Sequence, residues 1–259
     1  MQLTKLIVIF LFLTAPAHLF SQSLTSTARW VAKPVSVNGI ADEWQNPLNF
    51  FDVKTRLLFG IANDSTHLYL IFQNPDEKVQ SKIFSCGMKL NLSVKKIKRN
   101  ACISYPLPHS GDEEAGPGHT PDMMLLKNNF RIQGMMMVAE GFAQHNGMLT
   151  VSDSSIIKAA IDWNENNNMI YELAIPFTEI YGNSFTPQDL LHEIILHVEL
   201  LGMKKPAGNS ATQAPIGAGG VMGARGLGAT NFQTGTPAGK SPWYQVQEFK
   251  QKFVLATGK

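Results

Sequence analysis

The chain has 259 residues, 44% of them apolar, and a formal net charge of +2. That composition fits a globular protein of one or two domains with a sizeable core, and all-β units of this length are common. A balance this close to neutral gives no reason to expect nucleic acid as a partner. No run of about eighteen apolar residues follows the N-terminus, so the chain is not expected to be transmembrane.

Residues 1–21 read as a secretory signal peptide. Lys5 supplies the positive start, Leu6 to Leu13 is an apolar run too short to span a bilayer, and Ala15, Ala17 and Ser21 are small. Cleavage is expected near Ser21. No cysteine lies near that point, so a lipoprotein anchor is not expected and a periplasmic or secreted location is. From residue 22 to 201 there are 14 Lys plus Arg against 19 Asp plus Glu, and from 202 to 259 there are 7 against 1. The basic residues of the tail are spread among glycines, which fits a solvated loop.

Trp30 to Val37 reads as an edge strand because of Pro34. Asn38-Gly39 is a turn dipeptide, and Ile40 to Gln45 is expected to make one helical turn that seats Trp44 as a structural plug. Val53 to Ala62 and His67 to Phe72 form a hairpin around Asn63-Asp64-Ser65-Thr66. Leu68, Leu70 and Phe72 then share one face, with Tyr69 and Ile71 on the other. Both sets are apolar, so this strand is expected to be buried on both sides.

Asn74 to Gln80 reads as a loop, and Ile83 to Val94 with Arg99 to Tyr105 as a second hairpin around a lysine-rich turn. Cys86 and Cys102 then lie in strands flanking that turn. In an oxidising compartment they permit one disulfide; two small buried thiols are the other reading. Pro106 to Pro121 is a polar surface excursion. A short helix is expected from Asp122, and Met135-Met136-Met137 as filler of irregular core space. Ile156 to Trp163 and Met169 to Ile175 pair around an Asn-rich turn, Phe177 to Tyr181 turns once as helix, and Leu190 to Leu201 alternates as a strand. Gly202 to Gly239 holds ten glycines and no apolar period, which reads as a loop or linker. Trp243 to Leu255 regains strand character and is expected to return to the sheet.

The sum is an all-β, antiparallel, jelly-roll-like β-sandwich of about nine or ten strands with few short helices. The expected divisions are 1–21, a sandwich over 22–201, a Gly-rich segment over 202–242 and a last strand in 243–259.

Motifs of catalysis are weak. His192 and His197 are five residues apart, whereas a helical zinc-protease pair needs four. The glycines near Gly219 lack a strand–loop–helix context, and no Gly-x-Ser-x-Gly elbow occurs. Asp112, Glu113 and Glu114 are the candidate metal-binding acids, with calcium as the cation. No other cofactor is expected. Trp163, Trp243 and Tyr244 sit at turns or strand ends, where aromatic rings can present flat faces to a sugar. They are the candidate ligand-binding residues.

Three stretches carry a resemblance. Val37-Asn38-Gly39-Ile40-Ala41-Asp42-Glu43-Trp44 resembles the opening of family 9 carbohydrate-binding modules and their DOMON-like relatives, with Asn38 where the pattern has Asp. Asn63 to Leu70 resembles that family's N-D-x-x-x-L-Y-L hairpin, and Tyr171 to Pro176 its Y-E-x-A-I-P strand. The stretch Gln80 to Met88 is similar to one in secreted proteins of Bacteroidetes type. The resemblance implies a secreted β-sandwich. It leads to the expectation of a non-catalytic module that binds polysaccharide. A structural or protein-interaction module of the cell envelope is the alternative, and a hydrolase with an unrecognised site stands third.

Overall fold

The computed structural model describes residues 25–45, 47–108, 122–152, 154–203 and 241–258. The expected signal peptide, the acids Asp112, Glu113 and Glu114, and most of the Gly-rich stretch lie outside these residues.

Two sheets pack face to face. The first has seven strands in the order β1 (Ser26–Thr27), β13 (Gln247–Val254), β12 (Ile194–Leu200), β6 (Met88–Val94), β7 (Arg99–Ser104), β8 (Met136–Glu140) and β9 (Gly147–Thr150). The second has six: β10 (Lys158–Trp163), β11 (Met169–Pro176), β5 (His67–Asn74), β4 (Leu57–Asn63) and β2 (Arg29–Trp30) in line, with β3 (Phe50–Asp52) also paired to β4. Helices α1 (Glu77–Cys86), α2 (Met123–Gln133) and α3 (Phe177–Tyr181) lie between strands in the chain. The molecule is thus a β-sandwich, with more strands than the nine or ten expected. Its sheets are mixed rather than purely antiparallel, because β1 runs parallel to β13 and β2 parallel to β4.

The strands owe their placement to two patterns. In β6 and β12 buried and half-buried residues alternate strictly, so Leu90, Leu92, Leu196 and Val198 fill the interior while their neighbours face outward. In β5 and β11 nearly every residue is buried. Leu68, Leu70 and Phe72 join the same interior cluster, and Tyr69 and Ile71 join a second cluster on the outside of the six-stranded sheet with Val35, Trp44 and Ile170. The segment after β2 makes that second layer. Its expected edge strand is short, ending at Trp30, and residues 31–45 with 47–48 cover the sheet instead of extending it.

Glu172 fastens this cover. From the middle of β11 its carboxylate accepts hydrogen bonds from the backbone N–H groups of Asn38 (3.0 Å) and Gly39 (2.9 Å) and from the Trp44 indole (2.8 Å). Burial pushes its carboxyl above the ordinary range, against the pull of those donors. Gly39 has φ of +79°, and a Cβ there would come within 2.7 Å of the Asp162 side chain. Gly60 lets Trp44 lie close, since a Cβ would meet the indole at 3.3 Å. The Asn63–His67 turn is closed by Asp64, which accepts from the N–H groups of Thr66 and His67 and from the Tyr69 hydroxyl.

Two local expectations are corrected. The end of the stretch read as a loop over Asn74 to Gln80, and the start of the strand read from Ile83, belong to one helix, α1, over Glu77–Cys86. Asp76 caps it, accepting from the N–H groups of Lys78 and Val79, and Gly87 ends it with φ of +88°. As a result Cys86 ends a helix instead of lying across a hairpin from Cys102. The residue opposite Cys102 in that hairpin is Asn91, and both cysteines are free thiols, so no Cys86–Cys102 bridge is formed. The expected methionine filler is also split: Met137 is buried, while Met135 is 51% exposed.

Candidate functional site

The two longer helices meet at one end of the sandwich, and a pocket of about 110 Å³ opens between them. Phe84 and Ser85 come from the end of α1, and Leu126, Asn129 and Phe130 from one face of α2. Pro106, just after β7, supplies the rim. Asp122 starts α2 by accepting hydrogen bonds from the N–H groups of Met124 and Leu125, so the helix begins where expected but runs on to Gln133. The i, i+4 spacing of Leu126 and Phe130 points both inward.

Among the described residues no charged side chain lines the pocket. Its wall is aromatic, with Phe84 and Phe130 centroids 4.8 Å apart. Its polar groups are the Asn129 amide and the Ser85 hydroxyl. The volume is below the roughly 300 Å³ at which drug-sized sites begin and nearer the roughly 150 Å³ cavity that admits one benzene. The site suits a single ring with a mixed polar and apolar surface.

Trp163 stands behind this wall. Its ring packs on Phe84 at 5.2 Å and edge-on to Phe130 at 5.9 Å, and the Lys127 ammonium lies 5.2 Å from its centroid. Its indole N–H donates to Gln80 Oε1 at 2.8 Å, and the Gln80 amide in turn donates to the Asn74 and Asn167 carbonyls. The rings of Phe84 and Phe130 stand against Trp163, so it supports the pocket wall.

Trp243 and Tyr244 are elsewhere, in a 3-10 turn over Pro242–Tyr244 that leads into β13. The chain there is held by Lys82 of α1. That ammonium is 4% exposed and donates to the carbonyls of Pro242 (2.8 Å) and Gln245 (2.7 Å) and to the Gln247 side chain (2.8 Å). Burial lowers its pKa to about 8. Among the described residues no ring contact joins Trp163 to Trp243 or Tyr244, and the three candidates form no shared platform.

A second hollow, of about 210 Å³, lies beside Trp44 and is lined by Asp42, Gln45, Gln73 and Asn164. Trp44 is itself part of the lining, but it is only 8% exposed, with Gly60 of the sheet against its ring and the Arg29 guanidinium 5.6 Å from the ring centroid. Buried Glu179 lies 2.8 Å from His145 Nδ1 and accepts from the backbone N–H groups of Gln144 and His145, which ties the loop before β9 to α3. Metal-ligating side chains converge on the outward face of the seven-stranded sheet, at His197, Glu199 and Glu248. His192 lies apart from them, beyond the start of β12 and beside Asp189.

Sequence reasoning missed the pocket, since its residues come from separate stretches, and only Phe84 and Ser85 fall in one of the resembling segments, Gln80 to Met88. The available signals were the caps, Asp76 and Gly87 for α1 and Asp122 for α2. No helix among the described residues is long and apolar enough to cross a membrane. No family model matches the chain, and no curated protein sequence matches it either.

Proposed function

We propose that this chain is a non-catalytic β-sandwich of the periplasm or extracellular space that holds one neutral sugar residue of a polysaccharide between α1 and α2. The observation that carries the reading is the pocket itself: one ring in size, uncharged among the described residues, walled by Phe84 and Phe130, with Asn129 and Ser85 as its polar side chains. A pyranose has an apolar ring face and hydroxyls at its edge, and that pairing of surfaces is what the lining complements. Among the described residues its lining carries no charge, which favours a neutral sugar over a uronic acid. The apolar run after Lys5 supports the extracytoplasmic address.

The test is a glycan array with the mature chain, followed by titration of the best neutral glycan. Asn129→Ala, which removes the pocket amide, is expected to weaken binding about tenfold, the equivalent of one hydrogen bond of roughly 1.4 kcal/mol. A folded chain that binds no neutral polysaccharide would sink the proposal.

The interaction-module reading has its own observation. On the outer side of α2, Met124 is 76%, Leu125 53% and Ile132 76% exposed. Positions 125 and 132 are two turns apart and share a face. If this face is the working surface, changing all three residues to Ser removes attachment to envelope material and leaves glycan titrations unaltered.

A further inference from the structure

The open face of the seven-stranded sheet carries a cluster that the pocket does not use. His197 and Glu199 are two residues apart in β12, so both project outward while Leu196, Val198 and Leu200 fill the core. Glu248 sits directly opposite Glu199 on β13. One nitrogen or oxygen from each of the three side chains lies within 4.8 Å of the others. His197 Nε2 is 2.9 Å from Glu248 Oε2, and His197 Nδ1 is 3.7 Å from Glu199 Oε1.

We propose that His197, Glu199 and Glu248 bind a divalent transition-metal ion of the Zn²⁺ class. Like charges directly opposed across an antiparallel pair repel, yet Glu199 and Glu248 are so placed. Two ammonium groups stand on the same face, Lys89 opposite Glu199 on β6 and Lys250 opposite His197 on β13. Among the described residues neither comes within 4.0 Å of either carboxylate. A cation between the carboxylates relieves the repulsion, and the imidazole beside them decides which cation. Calcium takes oxygen donors, six to eight of them, whereas one imidazole with two carboxylates is a donor set for zinc and its neighbours.

The ligand atoms of a tetrahedral zinc site stand about 3.3 Å apart for bonds near 2.0 Å. In the structure Glu199 and Glu248 approach opposite nitrogens of His197, so an ion shared on one nitrogen needs a rotamer change at Glu248, whose side chain is 53% exposed. The other two ligands are held more firmly, at 21% and 23% exposure, and Asn91 donates to Glu199 Oε1 at 2.7 Å. Asn91 is thus a positioning residue for that carboxylate. The face is open, so water completes the coordination.

The experiment is calorimetric titration of the untagged mature chain with Zn²⁺ at pH 7.5, supported by the visible absorption of the Co²⁺ form. One ion per chain is expected, with affinity falling at least about tenfold in His197→Ala and in Glu248→Gln. Glu248 is exposed, so its variant keeps the fold if the histidine variant does not. His145→Ala is expected to leave the stoichiometry and affinity unchanged. No saturable Zn²⁺ binding, or binding of equal strength in both cluster variants, overturns the proposal and leaves His197 as an imidazole held between two carboxylates.

Discussion

The outward faces of the two sheets were built from the same strand geometry and ended differently. On the six-stranded sheet the outward residues of β5 and β11 include Tyr69, Ile71, Ile170 and Ala174, and Val31, Val35, Val37, Ala41, Trp44 and Leu48 are folded over them. On the seven-stranded sheet the outward positions of β6 and β12 are Lys89, Asn91, Ser93, Ile195, His197 and Glu199, all half-buried. A strand that is apolar on both faces needs a second layer; one that alternates can meet water. The covered face spends a charged residue, Glu172, on attaching its cover, and the open face keeps its charged residues for solvent and ligands.

This contrast is broken most directly at Glu172. Glu172→Ala leaves the N–H groups of Asn38, Gly39 and the Trp44 indole without their acceptor. Urea unfolding is expected to show a loss of roughly 3–5 kcal/mol. A loss below about 1 kcal/mol would mean that the cover holds by apolar contact alone.

A middle-sized effect comes from pH. Burial raises the Glu172 carboxyl above the ordinary 4.5. Between that value and the higher folded one, the native chain binds more protons than the unfolded chain. Stability contributed by Glu172 therefore falls as pH rises through the window, by at most about 1.4 kcal/mol per pH unit, and Glu172→Gln removes that slope. Asp64 acts in the opposite sense. Burial opposes its ionisation, but the Tyr69 hydroxyl and the Thr66 and His67 N–H groups outweigh it and hold the pKa below 3.8. Its contribution is present above 3.8 and is lost as pH falls below that. Unfolding curves from pH 3 to 7 for wild type and Glu172→Gln separate the two; superimposable profiles would remove Glu172 from the account. The smallest effect belongs to the open face: Ser93→Ala and Asn100→Ala are each expected to stay within about 0.5 kcal/mol of wild type in the same assay.

What could be read from the residues follows the same division. Apolar side chains at alternate positions announced β12, runs between turn residues announced β10 and β11, and the double-sided burial of β5 was visible in Leu68 to Phe72. Helix α1 was hidden because its inward residues include Gln80, Ser81 and Lys82. Each of the two longer ones is buried for a specific partner, Gln80 for Trp163 and Lys82 for the chain before β13, so no apolar period of 3.6 appears. Glu172 stood in a buried strand as a charged residue without a visible partner, and its partners lie more than 120 residues earlier. The metal cluster was half visible, as a His and a Glu at strand spacing; Glu248 joins them only through the register of β12 with β13. The pocket depends on how α1 and α2 meet, which no local pattern encodes.

The position of β13 has a kinetic meaning. It lies between β12 and β1, pairing Phe253 with both Ile194 and Ser26, so the seven-stranded sheet is completed by a strand more than 200 residues after β1. Contacts of such long sequence separation form late and slowly. During synthesis, at about 5–20 residues per second, β12 waits with an unpaired edge while β13 is still being made. That edge is where an unfinished chain is most open to wrong pairing with another. Glu248 reaches His197 and Glu199 only in the same docking step, so an ion bound by all three reports that the nascent chain has closed its sheet.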